Sequence, residues 1–209
     1  MGIIKNKKFK RNENNDTLII KEINSLLNKL THDNKNNNIK QIINILQKPF
    51  LKYIIENIIQ KSLLHHIYIE LYVDLVNNIT TKFDINLLLN NILDKTYNSL
   101  VNEENYDNTY DNLIKKNDNL DKLSGLCILI SNLEKKNNIN NNSYNIISNL
   151  IKNIDYNDND NLYKIIICIY NIITINKSLR DNFYDELNDI KSNNIPPKIK
   201  FKIMDIYDI

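Results

Sequence analysis

The sequence predicts an all-α protein of about five antiparallel helical hairpins stacked as a curved solenoid, and three observations carry that prediction. The chain of 209 residues holds only two glycines, Gly2 and Gly125, and three prolines, Pro49, Pro196 and Pro197. Tight β-hairpins call for Gly or Asn-Gly at their turns, so sandwiches and barrels are excluded. No strand-like run is followed by the glycine-rich turn of a parallel βαβ fold. Apolar residues recur instead at i, i+3, i+4 and i+7 along about ten segments, the spacing of an amphipathic helix. The segments pair off at roughly 40-residue intervals, a helical-repeat period. One hairpin cannot bury both its faces, whereas a stack can. On pattern alone an irregular helix bundle remains the alternative.

The elements follow in order. Residues 1–15 are basic and polar and read as a flexible tail. Asp16 can cap a helix running to Leu30, with Ile19, Ile23, Leu26, Leu27 and Leu30 on one face. A polar, Asn-rich gap precedes a shorter helix carrying Ile39, Ile42, Ile43 and Leu46, which Pro49 ends. Leu51, Ile54, Ile55, Ile58 and Ile59 mark the next helix, and Tyr68, Leu71, Tyr72, Leu75, Val76 and Ile79 its partner. A third pair spans residues 85–101 and 120–133, separated by a polar loop over residues 102–119. The fourth uses Ile147, Leu150, Ile151 and Ile154, then Leu162 to Ile173. Leu179, Phe183, Leu187 and Ile190 belong to one helix of the last pair, and Ile199, Ile203 and Ile206 to the other, which Pro196-Pro197 opens.

Composition excludes several function classes. The formal net charge of +2 is too small to draw nucleic acid by bulk electrostatics. Cys127 and Cys168 both lie in apolar helical stretches, as expected of reduced core thiols in a cytosolic protein. No apolar run approaches membrane-spanning length, and the basic start is not followed by the apolar stretch of a signal peptide. A phosphate cradle needs a glycine-rich loop, and none lies between Gly2 and Gly125. His65 and His66 are adjacent rather than at i, i+4, and no Cys lies near them or His32. No metal site, cofactor site or nucleophile triad is therefore expected, and neither is enzyme activity. The wealth of Asn and Ile and the lack of Ala suit an AT-rich genome, such as that of a protist or a large DNA virus.

Two stretches carry a resemblance. Ser25-Leu26-Leu27-Asn28-Lys29-Leu30-Thr31 resembles the Leu-Asn-Lys-Leu-Thr stretch that ends the first helix of the middle domain of eukaryotic translation initiation factor 4G. Lys198-Ile199-Lys200-Phe201-Lys202-Ile203-Met204-Asp205-Ile206 resembles that domain's last helix. Between them, Leu51 to Ser62, Leu87-Leu88-Leu89-Asn90 and Leu123-Ser124-Gly125 match family elements in the same order, the last with its residues permuted. The resemblance covers residues 17–209 and implies a crescent of five HEAT hairpins from residue 16 onward.

It also implies a cytoplasmic scaffold that grips both lobes of a DEAD-box RNA helicase of the initiation factor 4A type. Leu27, Asn28, Lys29, Leu30 and Thr31 would contact one lobe, and Lys198, Lys200, Phe201 and Lys202 the other. The Tyr-x-x-x-x-Leu-aliphatic motif for the cap-binding protein is missing, since Tyr53 is followed at that spacing by Ile58. That partner would be reached indirectly or through another site, and the chain would be a minimal middle domain. A related scaffold of mRNA decay or splicing, or a purely structural or RNA-binding helical protein, are the rival readings. Lys5, Lys7, Lys8, Lys10 and Arg11 would either hold RNA phosphates or simply keep the chain in solution.

Overall fold

The computed structural model describes residues 15–101, 110–140 and 142–209, all of whose regular structure is helical. The basic tail, with Lys5, Lys7, Lys8, Lys10 and Arg11, lies outside them except for Asn15, which opens the first helix. The hairpins are α1 (Asn15–Asn28) with α2 (Lys35–Ile45), and α3 (Leu51–Leu64) with α4 (Ile69–Lys82). Next come α5 (Asn86–Val101) with α6 (Tyr110–Lys135), and α7 (Asn142–Lys152) with α8 (Asn159–Ile175). A single turn, α9 (Leu179–Asn182), precedes the last pair, α10 (Tyr184–Ser192) and α11 (Pro197–Tyr207). Asn and Ile are mediocre helix formers, so burial must hold these helices. Ile54, Ile55, Ile58, Ile79, Ile166, Ile169 and Ile203 are among the wholly buried side chains. Each contributes roughly 1.5–3 kcal/mol.

The second helices of the hairpins form a continuous row, α2 on α4, α4 on α6, α6 on α8 and α8 on α11. Among the first helices only α3 and α5 share an extensive contact. The stack is thus joined more closely through its second helices than through its first. Polar clasps reinforce the row. Lys35 pairs with Asp74 at 3.0 Å, and Lys82 donates to the α2 carbonyl of Ile43 at 2.6 Å. Asn138 donates to Asn77 at 2.7 Å, and Asn171 to Ser124 at 2.9 Å.

Two boundaries differ from expectation. The loop foreseen over residues 102–119 ends at Tyr110, where α6 already begins. Residues 102–109 lie outside the described part. The first ten residues of α6 carry few apolar residues and no apolar stripe at helical spacing, so periodicity could not find them. The helix foreseen from Leu179 to Ile190 is broken at Phe183, whose φ of −119° and ψ of 15° are not helical. The break turns the ring into the core, 4.9 Å from the Tyr144 ring of α7. At the other end of α6, Asn137 takes the left-handed conformation with φ 59°. Its N–H donates to Glu134 O at 2.8 Å and that of Asn138 to Leu133 O at 3.0 Å, which closes the helix as a Schellman motif.

Candidate functional site

The first cluster sits at the turn between α1 and α2. Leu27 and Leu30 are core residues, closing the hairpin from inside, and this removes them from any contact set. Their neighbours Asn28, Lys29 and Thr31 are exposed. Asn34, in the polar gap between the two helices, organises the turn. Its side chain accepts from the Thr31 N–H at 2.9 Å and donates to the Lys29 carbonyl at 2.7 Å. The backbone is thereby held while the Lys29 and Thr31 side chains face outward. Asn28 is partly committed, accepting from Lys61 of α3 at 2.6 Å. Tyr53, weighed above for a cap-binding motif, is tied into the same joint, its hydroxyl accepting from Asn24 at 2.6 Å.

The second cluster is α11, where helical geometry divides the four residues by direction. Ile199, Ile203 and Ile206 are buried against the stack. Lys198 and Lys202 lean onto α8: Lys198 pairs with Asp160 at 3.0 Å and lies 4.9 Å from the Tyr163 ring, and Lys202 lies 3.3 Å from the Tyr170 ring. Lys200 shares the side of Tyr207, which stacks on Tyr184 of α10, and is half-buried. Phe201 points away from all of these and is 64% exposed, and Met204 beside it is 45% exposed. Met204 was not singled out in the sequence. Its spacing of i+3 from Phe201, opposite the Ile stripe, was the available signal.

A third feature lies between the two clusters. The end of α3, the N-terminal half of α6 and the start of α8 enclose an open groove of 450 Å³. Leu63, Leu64, Leu120, Tyr163 and Ile167 supply its apolar floor, with Asp118, Asp121, Lys122 and Lys164 at the rim. Its three walls come from distant parts of the chain, a juxtaposition that local sequence pattern does not encode.

Among the described residues, burial raises the pKa of several titratable groups. Cys127 and Cys168 are both buried and free, and a hydrogen bond to Cys168, followed by burial, holds the Cys127 thiol well above the ordinary range. A thiol so raised is a poor nucleophile. Burial first, then the nearby cysteines, pushes Tyr97 up to about 12. Its hydroxyl is buried and without a hydrogen-bond partner. The folded chain thus keeps a proton that the unfolded chain loses from pH 10 upward, so stability present below pH 10 should fall between pH 10 and about 12. Tyr97→Phe should flatten that fall and leave stability at pH 7 unchanged or slightly raised, which urea unfolding at pH 7, 9 and 11 would measure. Among the described residues no group of His, Cys, Asp and Glu is placed to hold a metal, and no helix is long and apolar enough to cross a membrane.

The two clusters and the groove all lie on the surface of one helical stack. The family model described as MIF4G domain matches residues 20–209, nearly the whole chain. Among curated proteins none matches.

Proposed function

The chain belongs to the MIF4G domain family, that of the middle domain of initiation factor 4G-like proteins, and from that premise we propose that it binds a DEAD-box helicase of the initiation factor 4A type. The family supports a helical scaffold in translation, mRNA decay or splicing. The translation branch is favoured by one observation, the Leu26–Thr31 stretch, whose polar members Lys29 and Thr31 are exposed on a turn that Asn34 locks. We further propose that the protein carries no chemistry of its own and works in the cytoplasm, where initiation takes place.

A helicase of this class closes two lobes around ATP and RNA. A scaffold touching both lobes acts through its differential affinity for the half-open arrangement, since equal affinity for all arrangements would shift nothing. A preference of about 1.4 kcal/mol moves that equilibrium tenfold, which two small patches can supply. The Lys29–Thr31 turn and the Phe201–Met204 face stand in the first and last hairpins, as such a clamp would need. RNA held by Lys5, Lys7, Lys8, Lys10 and Arg11 would be an accessory to it, and a cap-binding partner would be recruited elsewhere.

The test is binding of the purified chain to three helicases, of initiation, decay and splicing type, with ATPase rate as a second readout. Binding and stimulation are expected with the initiation type alone. Preference for either of the others would move the protein to that branch, and binding to none would end the helicase reading.

A further inference from the structure

The groove between α3, α6 and α8 belongs to neither end of the stack and does not depend on the helicase reading. Its lining is largely apolar, and Leu64 within it is exposed. The charges above that floor are paired but unevenly placed. Lys122 is 30% exposed beneath Asp118 at 66%, with 3.2 Å between them. Lys164 is 24% exposed beneath Asp121 at 73%, at 3.4 Å. Lys164 also donates to the carbonyl and side chain of Asn117, which draws it further toward α6. Asp160, one turn before Lys164 on α8, is likewise more exposed than Lys198, its partner. In each pair the cation lies inward and the carboxylate outward.

We propose that this groove is a docking site for a basic amphipathic helix of a partner protein. Such a helix would lay two or three large apolar side chains on Leu64, Leu120, Tyr163 and Ile167 and meet the carboxylates with Lys or Arg. The wall from Asp118 to Gly125 is about 12 Å long at 1.5 Å per residue, room for roughly two turns. This is the helix-in-groove mode, in which the apolar anchors supply affinity and the charged rim sets orientation and partner choice. Nucleic acid does not suit the site, because its phosphates would meet the outer carboxylates.

The probe is a synthetic 14-residue helical peptide with Leu at i, i+3, i+4 and i+7 and Lys elsewhere, paired with a copy in which Glu replaces every Lys. Fluorescence anisotropy against the full chain should find the basic peptide bound, the acidic one at least about tenfold weaker, and the affinity of the first falling with salt. Asp118→Asn with Asp121→Asn should cost the basic peptide about tenfold, roughly 1.4 kcal/mol, with unchanged circular dichroism because both side chains project into solvent. Leu64→Ser should weaken both peptides. Equal binding of the two peptides, or indifference of the basic one to these substitutions, overturns the proposal. So does tighter peptide binding after deletion of residues 1–14, which would make the chain's own tail the occupant. A dimer that the peptide dissociates would likewise replace the partner by a second copy.

Discussion

Replacing Gly125 by leucine is expected to lower stability by about 3 kcal/mol and the melting temperature by roughly 6–12 °C. Gly125 lies midway along α6, where glycine is otherwise a liability of about 1 kcal/mol relative to alanine. The reason for it is the crossing of α6 over the end of α3. A Cβ at this position would stand 2.5 Å from His66 Nε2 and 2.9 Å from the Leu63 carbonyl oxygen. The imidazole can swing away, since His66 is exposed. The carbonyl cannot, because it belongs to the last turn of α3 and accepts from the same ring at 3.2 Å. Any side chain must therefore push the two helices apart, and α6 is also packed on α4, α5, α7 and α8. Alanine should show a smaller loss, its clash offset in part by helix propensity. Adding His66→Ala to Gly125→Ala should recover only the share due to the ring. Full recovery would mean that the backbone contact is not the constraint.

The same residue shows how far the sequence could be read. Leu123-Ser124-Gly125 was visible as a family element, yet nothing in the sequence said that Gly125 faces Leu63, more than sixty residues away. Hairpins were legible wherever apolar residues recur at helical spacing along a buried face, as in α3, α4 and α8. The start of α6 was not, because Asn117, Asp118 and Asp121 bind polar partners or face water and leave no period to detect. The break at Phe183 was hidden for the opposite reason: Leu179, Phe183, Leu187 and Ile190 keep a helical spacing, and only the need to seat the ring beside Tyr144 interrupts it. The candidate patches were legible as positions and in part as directions, since helical spacing already put Leu27 and Leu30 on the apolar face of the first helix and Phe201 opposite the Ile199, Ile203 and Ile206 stripe. Leu27 and Leu30 turned inward because the α1 stripe runs to the end of the hairpin. Lys198 and Lys202 turned onto the tyrosines of α8, contacts between distant parts of the chain that local pattern does not encode.

Those directions decide how the two-ended clamp should be tested. Lys198 already serves α8 through Asp160 and Tyr163, so reversing its charge would disturb the stack as well as any partner. Phe201 and Met204 are exposed and can be cut back to alanine at little cost to folding, within about 0.5 kcal/mol for surface positions. At the other end, Lys29→Glu with Thr31→Glu alters two exposed side chains and leaves intact the Asn34 bonds, which use only the backbone of those residues. The first-hairpin variant is expected to lose helicase binding altogether, by at least about a hundredfold, or roughly 2.7 kcal/mol. The α11 variant is expected to keep binding, because one lobe is still held.

The decisive measurement is the steady-state ATPase rate of the helicase, with RNA present, against increasing amounts of wild-type chain and of the Phe201→Ala, Met204→Ala variant. A clamp that needs both ends predicts that the variant binds the helicase at nearly the wild-type concentration yet raises the rate little or not at all. If the variant binds and stimulates as well as the wild type, the closing helix has no part in the mechanism and the two-ended account is wrong.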